Sequence, residues 1–151
     1  MAEALKGMFW DVIAGRAPLP PVLGLLGWNA AHAEPGHVRA GFQGKEEFYN
    51  PVRLVQGGIL AAMLDGVMGA AAVSLLGAGE QITTLEMKVS YMQSVRDVPL
   101  TGEGRVRHRG GSVLFMEGTL TAEDGSLVAT ATATGRVVRP PSGAAGGEEM
   151  P

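Results

Sequence analysis

Residues 55–66 read "VQGGILAAMLDG": two glycines and six uncharged residues lead to a single aspartate, Asp65. From Gly57 to Gly79, Asp65 is the only charged residue. The segment 57–77 reads as one long helix, ended by the "GAG" at 77–79. A membrane span is one account of so apolar a run. An aspartate at mid-helix costs roughly 2.5–3.5 kcal/mol on insertion scales, and no basic cluster flanks either end. A core helix whose aspartate is paired with a structural donor is the second account. Winding the segment at about 100° per residue places Ile59, Leu60, Met63, Leu64, Val67, Met68 and Leu75 on one arc. Asp65 falls opposite, among Ala61, Ala62, Gly69 and Ala72. That face is small rather than charged, so it suits close approach by a backbone, a ligand or a second subunit. A carboxylate at such a contact is expected to be partly dry, which raises its basicity. Gly57-Gly58 stands at the helix start, where free N–H groups and the helix dipole can stabilise a developing oxyanion. Asp65 is about 12 Å further along the helix, so both could serve one substrate only if its reacting carbon lay between them.

Outward from this helix the period changes. In "TLEMKVSYMQ", Leu85, Met87, Val89 and Tyr91 alternate with Thr84, Glu86, Lys88 and Ser90, the period of a strand. Three more strands are expected at 100–109, 113–122 and 127–138, separated by turns at Gly110-Gly111 and "EDGS". Upstream, 28–43 reads as two strands about a Pro35-Gly36 turn. Leu5, Met8, Phe9 and Val12 mark a short helix over 3–14, and Pro18, Pro20 and Pro21 break it. The order is helix, two strands, one long helix, four strands. It predicts an α+β domain over 1–139, with an antiparallel sheet curled around the single long helix. Residues 1–26 are the helical and Pro-rich lead-in. Residues 140–151 have little to bury and are expected to be disordered.

The totals narrow the function. The 151 residues suit one domain, and hydrophobic (46%) and charged (18%) residues are in ordinary globular proportion. A net charge of −3 offers no general basic field for nucleic acid. There are no cysteines, hence no disulfide, thiolate metal site or thiol nucleophile. Glu3, Lys6 and Asp11 interrupt the N-terminal segment, which excludes a signal-peptide core there and makes a cytoplasmic protein the expectation. His32, His37 and His108 show no ligand spacing in the sequence, so no metal is expected. There is neither a nucleophile elbow nor a mononucleotide phosphate loop. Met63, Met68, Met87 and Met92 are expected in the core or lining an adaptable pocket.

The run "NPVRLVQGGILAAMLDG", then "TTLEMKVSYMQS", then "RHRGGSVLFMEGTL…DGSLVATATATGRV" resembles the PaaI-type acyl-CoA thioesterases of the hotdog-fold superfamily. The family pattern is Asn-Pro, a His-Gly-Gly six residues after the Asn, and an acidic residue nine after the His. Here these fall on Asn50-Pro51, Gln56-Gly57-Gly58 and Asp65. The resemblance implies a homodimeric or tetrameric hotdog with active sites at subunit interfaces and coenzyme A as part of the substrate, without a separate cofactor. It implies Asp65 as general base or nucleophile, Gly57 as carbonyl-binding N–H, and Asn50 as orienting side chain. It also implies a Thr84 hydroxyl supplied by the neighbouring subunit, with Gly58 beside the substrate. A one-residue slip would exchange Thr83 for Thr84.

Two departures stand out. Gln56 replaces the usual His; it keeps a donor and an acceptor but cannot titrate. Arg53 stands where Gly is common, and is expected to reshape the loop or meet a phosphate. Alternation places Glu103, Arg105, Arg107 and Arg109 on one strand face, either solvated or, with Gly110, Gly111 and Ser112, in contact with coenzyme A phosphates. Arg136 and Arg139 could add to such a contact. The functional expectation is an acyl-CoA thioesterase. A non-hydrolytic acyl-CoA binding protein is the alternative, and a hydratase is disfavoured because no His is placed to pair with Asp65.

Overall fold

The computed structural model of the protein describes residues 6–139 and 141. Two short helices come first, α1 (Met8–Ile13) and α2 (Pro21–Leu25). Strands β1 (Asn29–Glu34) and β2 (His37–Gln43) follow, then α3 (Gly57–Val73). The chain ends in β3 (Gln81–Tyr91), β4 (Pro99–Gly110), β5 (Val113–Ala122) and β6 (Leu127–Val138). One antiparallel sheet of order β1-β2-β4-β5-β6-β3 carries α3 against one face. This is the α+β hotdog arrangement that the resemblance implies. Among the described residues no helix is long and apolar enough to cross a membrane.

The arc read from the helical period does form the core. Leu60, Met63, Leu64, Val67 and Met68 are all at most 2% exposed, against Val38, Leu100, Leu114 and Leu120 of the sheet. Ile59 and Leu75, at the two ends of the arc, are only half-buried. How closely α3 seats on the sheet is set by Gly104, where a Cβ would collide with the Val67 carbonyl. Only glycine permits that approach of helix backbone to strand.

Several boundaries differ from expectation for visible reasons. Helix α3 stops at Val73 rather than 77, because Leu75 and Leu76 bond the carbonyls of Ala72 and Val73, a 3₁₀-type tightening of the last turn. The helix expected over 3–14 is described as Met8–Ile13, and Leu5 and the tail at 142–151 lie outside the described residues. The expected break falls before the prolines: α1 ends at Ile13 and is closed by the left-handed Gly15, and Pro21 then opens α2 from the first-turn position, where its missing N–H is harmless.

Two β-bulges redirect side chains that strict alternation would place otherwise. In β3 the register shifts between Thr84 and Glu86. Leu85 is thrown outward to 58% exposure, while Met87 and Val89 still pack on the core. In β4 the shift falls between Val106 and His108. Glu103 and Arg105 stay together on the outer face, but Arg109 is brought round to the end of α3. The four charges therefore do not share one face.

Candidate active site

Asp65 lies midway along α3, and its carboxylate is held by β3. The Thr84 hydroxyl donates to Asp65 Oδ1 at 2.9 Å. The bulge after Thr84 makes this contact, and it chooses Thr84 over Thr83, which is exposed across from Arg136. Both partners belong to one chain, so this Thr84 reaches Asp65 without a neighbouring subunit.

Asp65 is exposed in the single chain; the partly dry contact expected of its small-residue face would need a ligand or a second subunit. The chain's own N-terminal segment covers much of that face. Leu23 of α2 reaches so far into α3 that a Cβ on Gly66 would come within 2.9 Å of it. Between α1, α2 and α3 lies an apolar cavity of about 290 Å³. Phe9, Val12, Leu19, Leu23, Trp28 and Val73 line it, and Asp65 is the one ionisable residue on its wall. A volume near 300 Å³ is at the small end of ligand sites. Neither this cavity nor α2 is announced by a motif in the sequence.

The other part of the site is the start of α3. Among the described residues no acceptor takes the N–H of Gly57 or Gly58, and the N-cap residue Gln56 makes no side-chain cap. Two aligned donors at the positive end of a helix are thus open. Tyr91, read from the sequence only as a strand residue, fixes this end. Its hydroxyl donates to the Gly57 carbonyl at 2.8 Å, and its ring would lie 3.3 Å from a Cβ on Gly57. Beside Gly58 there is open space. The Gln56 side chain is exposed beside these donors.

Asn50 shapes the loop that precedes the helix. Its Oδ1 accepts from the N–H groups of Val52 and Leu54, both at 3.1 Å, which leaves its amide N–H₂ available. The loop turns at Arg53, whose φ of 61° is the one left-handed value on a non-glycine among the described residues. That conformation explains why glycine suits the position, and the arginine bears it at roughly 1–2 kcal/mol of steric cost. The Arg53 guanidinium pairs with Glu46 at 2.7 Å and lies 5.7 Å from the Tyr49 ring centre. It reshapes the loop, with its charge already answered by Glu46.

Glu80 gathers the basic residues expected at a phosphate. Arg109 donates to both of its oxygens at 3.2 and 3.3 Å and to the Leu75 carbonyl at 3.1 Å. Arg139 donates to Oε1 at 2.7 and 3.0 Å. The Gly77 N–H, then Arg139 and Arg109, lower the Glu80 pKa to about 2. Gly110, Gly111 and Ser112 form the β4–β5 turn alongside.

The histidines are closer together than their spacing in the sequence suggests. The Pro35-Gly36 turn folds His37 back beside Glu34 and His32, with the donor atoms of all three within 4.8 Å of one another. His108 lies elsewhere, stacked on Phe115.

A six-stranded antiparallel sheet on one long helix, with a carboxylate on that helix and open amides at its start, is a hotdog scaffold. The thioesterase superfamily model matches residues 54–129, half of the chain, and the protein belongs to that family. A phenylacetic acid degradation-related protein of Ralstonia eutropha JMP134, a candidate thioesterase, is 36% identical. It superposes with a TM-score of 0.80 over 85% of this chain and 98% of its own. A Streptococcus mutans protein bound to acetyl-CoA is 25% identical, with a TM-score of 0.69 over 75% of this chain and 91% of that one. The Escherichia coli PaaI protein of the phenylacetic acid degradation operon, 15% identical over 86% and 93% of the two chains, shares the fold with a TM-score of 0.77. A candidate esterase of Saccharolobus solfataricus is 32% identical over 95 residues, 63% of this chain and 67% of that protein.

Proposed function

We propose that the protein is an acyl-CoA thioesterase that hydrolyses a small aromatic or fatty acyl-CoA to the free acid and coenzyme A. The observation that carries this reading is the Asp65 carboxylate, held by Thr84 on the wall of an apolar cavity. The acyl group enters the cavity, and its thioester carbonyl stops at the carboxylate. Asp65 takes a proton from water as the water oxygen attacks the carbonyl carbon, or attacks that carbon itself to give an anhydride that water then opens. The tetrahedral oxyanion is met by the Gly57 N–H. Its collapse breaks the C–S bond, and the thiolate of coenzyme A leaves. Asn50 and the Gln56 amide orient carbonyl or water, and the pantetheine arm passes Gly58. At the nucleotide end, the turn of Gly110, Gly111 and Ser112 meets the phosphates, with Arg109 shared with Glu80. The acetyl-CoA bound to the Streptococcus mutans relative supports the substrate class.

One chain does not complete this site. Gly57 and Asp65 are eight residues apart on one helix, about 12 Å. An oxyanion donor and a base serving one carbonyl must each come within about 3 Å of the reacting atoms, directly or through a single water. The two groups therefore serve different substrates unless a second copy brings the start of its own α3 to this Asp65. The edge strand β3 suits that role: it is 11 residues long, lacks a partner on one side among the described residues, and Leu85 and Tyr91 are at least half exposed on it. A long unpaired edge of this kind invites a second strand. The functional unit is thus a homodimer or a tetramer built from such dimers, acting in the cytoplasm.

The exposed, non-titrating Gln56 favours one other reading, an acyl-CoA binding protein without efficient turnover. Release of free coenzyme A across acyl chain lengths and aryl acids separates the two. We expect turnover, lowered about 10²–10⁴-fold by Asp65→Asn with the oligomer unchanged in light scattering. Saturable acyl-CoA binding with no release by the wild-type protein would select the binding reading.

A further inference from the structure

We propose that His32, Glu34 and His37 form a binding site for one divalent cation of the zinc class, at the sheet edge opposite β3. The site follows from the β1–β2 hairpin. His32 and Glu34 are two apart on β1, just past a register shift at Ala30/His32, and the turn brings His37 directly across from Glu34. Glu34 Oε1 is 3.5 Å from His32 Nε2 and 3.0 Å from His37 Nδ1. A tetrahedral zinc with ligands at about 2.0–2.1 Å needs donor separations of about 3.4 Å, which these two distances bracket. Two imidazoles and one carboxylate make a common zinc donor set, with the fourth position left to water. His32 and Glu34 are 44% and 56% exposed in their side chains, so the cation has an open path.

His37 is oriented as a ligand would be. Its Nε2 lies 2.8 Å from Glu103 Oε1, and Glu103 is in turn held by Arg105 at 2.6 Å. A carboxylate at the far nitrogen is the usual outer partner of a metal-bound imidazole: in the bound state the N–H would sit on Nε2 toward Glu103 and the Nδ1 lone pair would face the ion. A neutral ring has one N–H and cannot donate to both carboxylates. With that N–H on Nε2 toward Glu103, the 3.0 Å contact between Nδ1 and Glu34 calls for a bridging cation. A proton bridges two atoms; the third donor, His32 Nε2, is what a metal ion would use. Arg39, across from His32, and Arg105 are the nearby opposing charges. A bound ion would pin the short edge strand β1 to β2 and, through Glu103, to β4.

The test uses the full chain without a histidine tag, stripped with a chelator and titrated with Zn²⁺ by calorimetry and with Co²⁺ by visible absorption. We expect one ion per chain, tetrahedral Co²⁺ bands and a raised Tm with Zn²⁺. His32→Ala, at an exposed position, should abolish all three, whereas His108→Ala should abolish none. Glu103→Gln should weaken binding about 10–100-fold without eliminating it. Absence of saturable binding at millimolar Zn²⁺, or binding that survives in His32→Ala, would overturn the site and leave a proton-bridged ion cluster.

Discussion

The two ends of α3 are built on opposite plans. At the C-terminal end nearly every exposed polar group is answered. Ser74 donates to the Ala71 carbonyl at 2.6 Å and accepts the Gly36 N–H at 2.8 Å. Arg109 covers the Leu75 carbonyl, and Glu80 takes the Gly77 N–H at 2.9 Å along with Arg109 and Arg139. At the N-terminal end Gln56 provides no cap, and the N–H groups of Gly57 and Gly58 are without acceptors among the described residues. Every helix begins with unsatisfied groups at both ends. This one closes its C-terminal end and leaves open the end at which we propose substrate binds.

Substitutions at the two ends should therefore separate stability from turnover. The largest effect belongs to Ser74→Ala. It removes a side chain only 6% exposed and strands the N–H of the half-buried Gly36, and should lower unfolding free energy by about 1–3 kcal/mol with kcat unchanged. Denaturant titration alongside steady-state kinetics reads both. A kcat that fell in proportion to stability would dissolve the distinction between the ends. At the other end, Tyr91→Phe removes the bond that steadies the Gly57 carbonyl. We expect kcat/KM to fall by up to about tenfold, equivalent to one hydrogen bond of 0.5–1.5 kcal/mol, with little loss of Tm. The smallest effect shows only in acid. The Glu80 pKa is about 2 in the folded protein against an ordinary 4.5, so its contribution is complete above about pH 4.5 and is lost as pH falls toward 2. Thermal unfolding of Glu80→Gln should therefore lose less stability than the wild type between those limits. Parallel curves would remove Glu80 from the account of the closed end.

The sequence made the closed core easier to read than the open site. The 3.6-residue period of α3 separated Leu60, Met63, Leu64, Val67 and Met68 from Asp65, and alternation located β4, β5 and β6 to within a residue. Both bulges escaped it, because an extra residue in a strand leaves no mark on composition. Leu85 and Arg109 consequently sit away from the faces that alternation assigns. The resemblance named Asp65 and Thr84, while their union within one chain depends on the Thr84/Glu86 shift. The small neighbours of Asp65 predict a partly dry contact; within one chain the cover over those neighbours stops short of the carboxylate. The histidine pair was partly legible, since the Pro35-Gly36 turn that joins it to Glu34 was recognised while its effect on spacing across the hairpin was not. Tyr91 had no local signal: its partner is 34 residues away.

The cavity beside Asp65 owes its outer wall to residues 8–28, a segment that supplies no strand to the sheet and neither partner of the Asp65–Thr84 hydrogen bond. Wall and chemistry can therefore diverge independently over evolution. Replacing Leu19, Val22 or Leu23 alters the room for an acyl group while α3, β3 and their hydrogen bond persist. Lineages of this fold could thus change diet by rewriting a short lead-in, with the ancestral machine left running underneath.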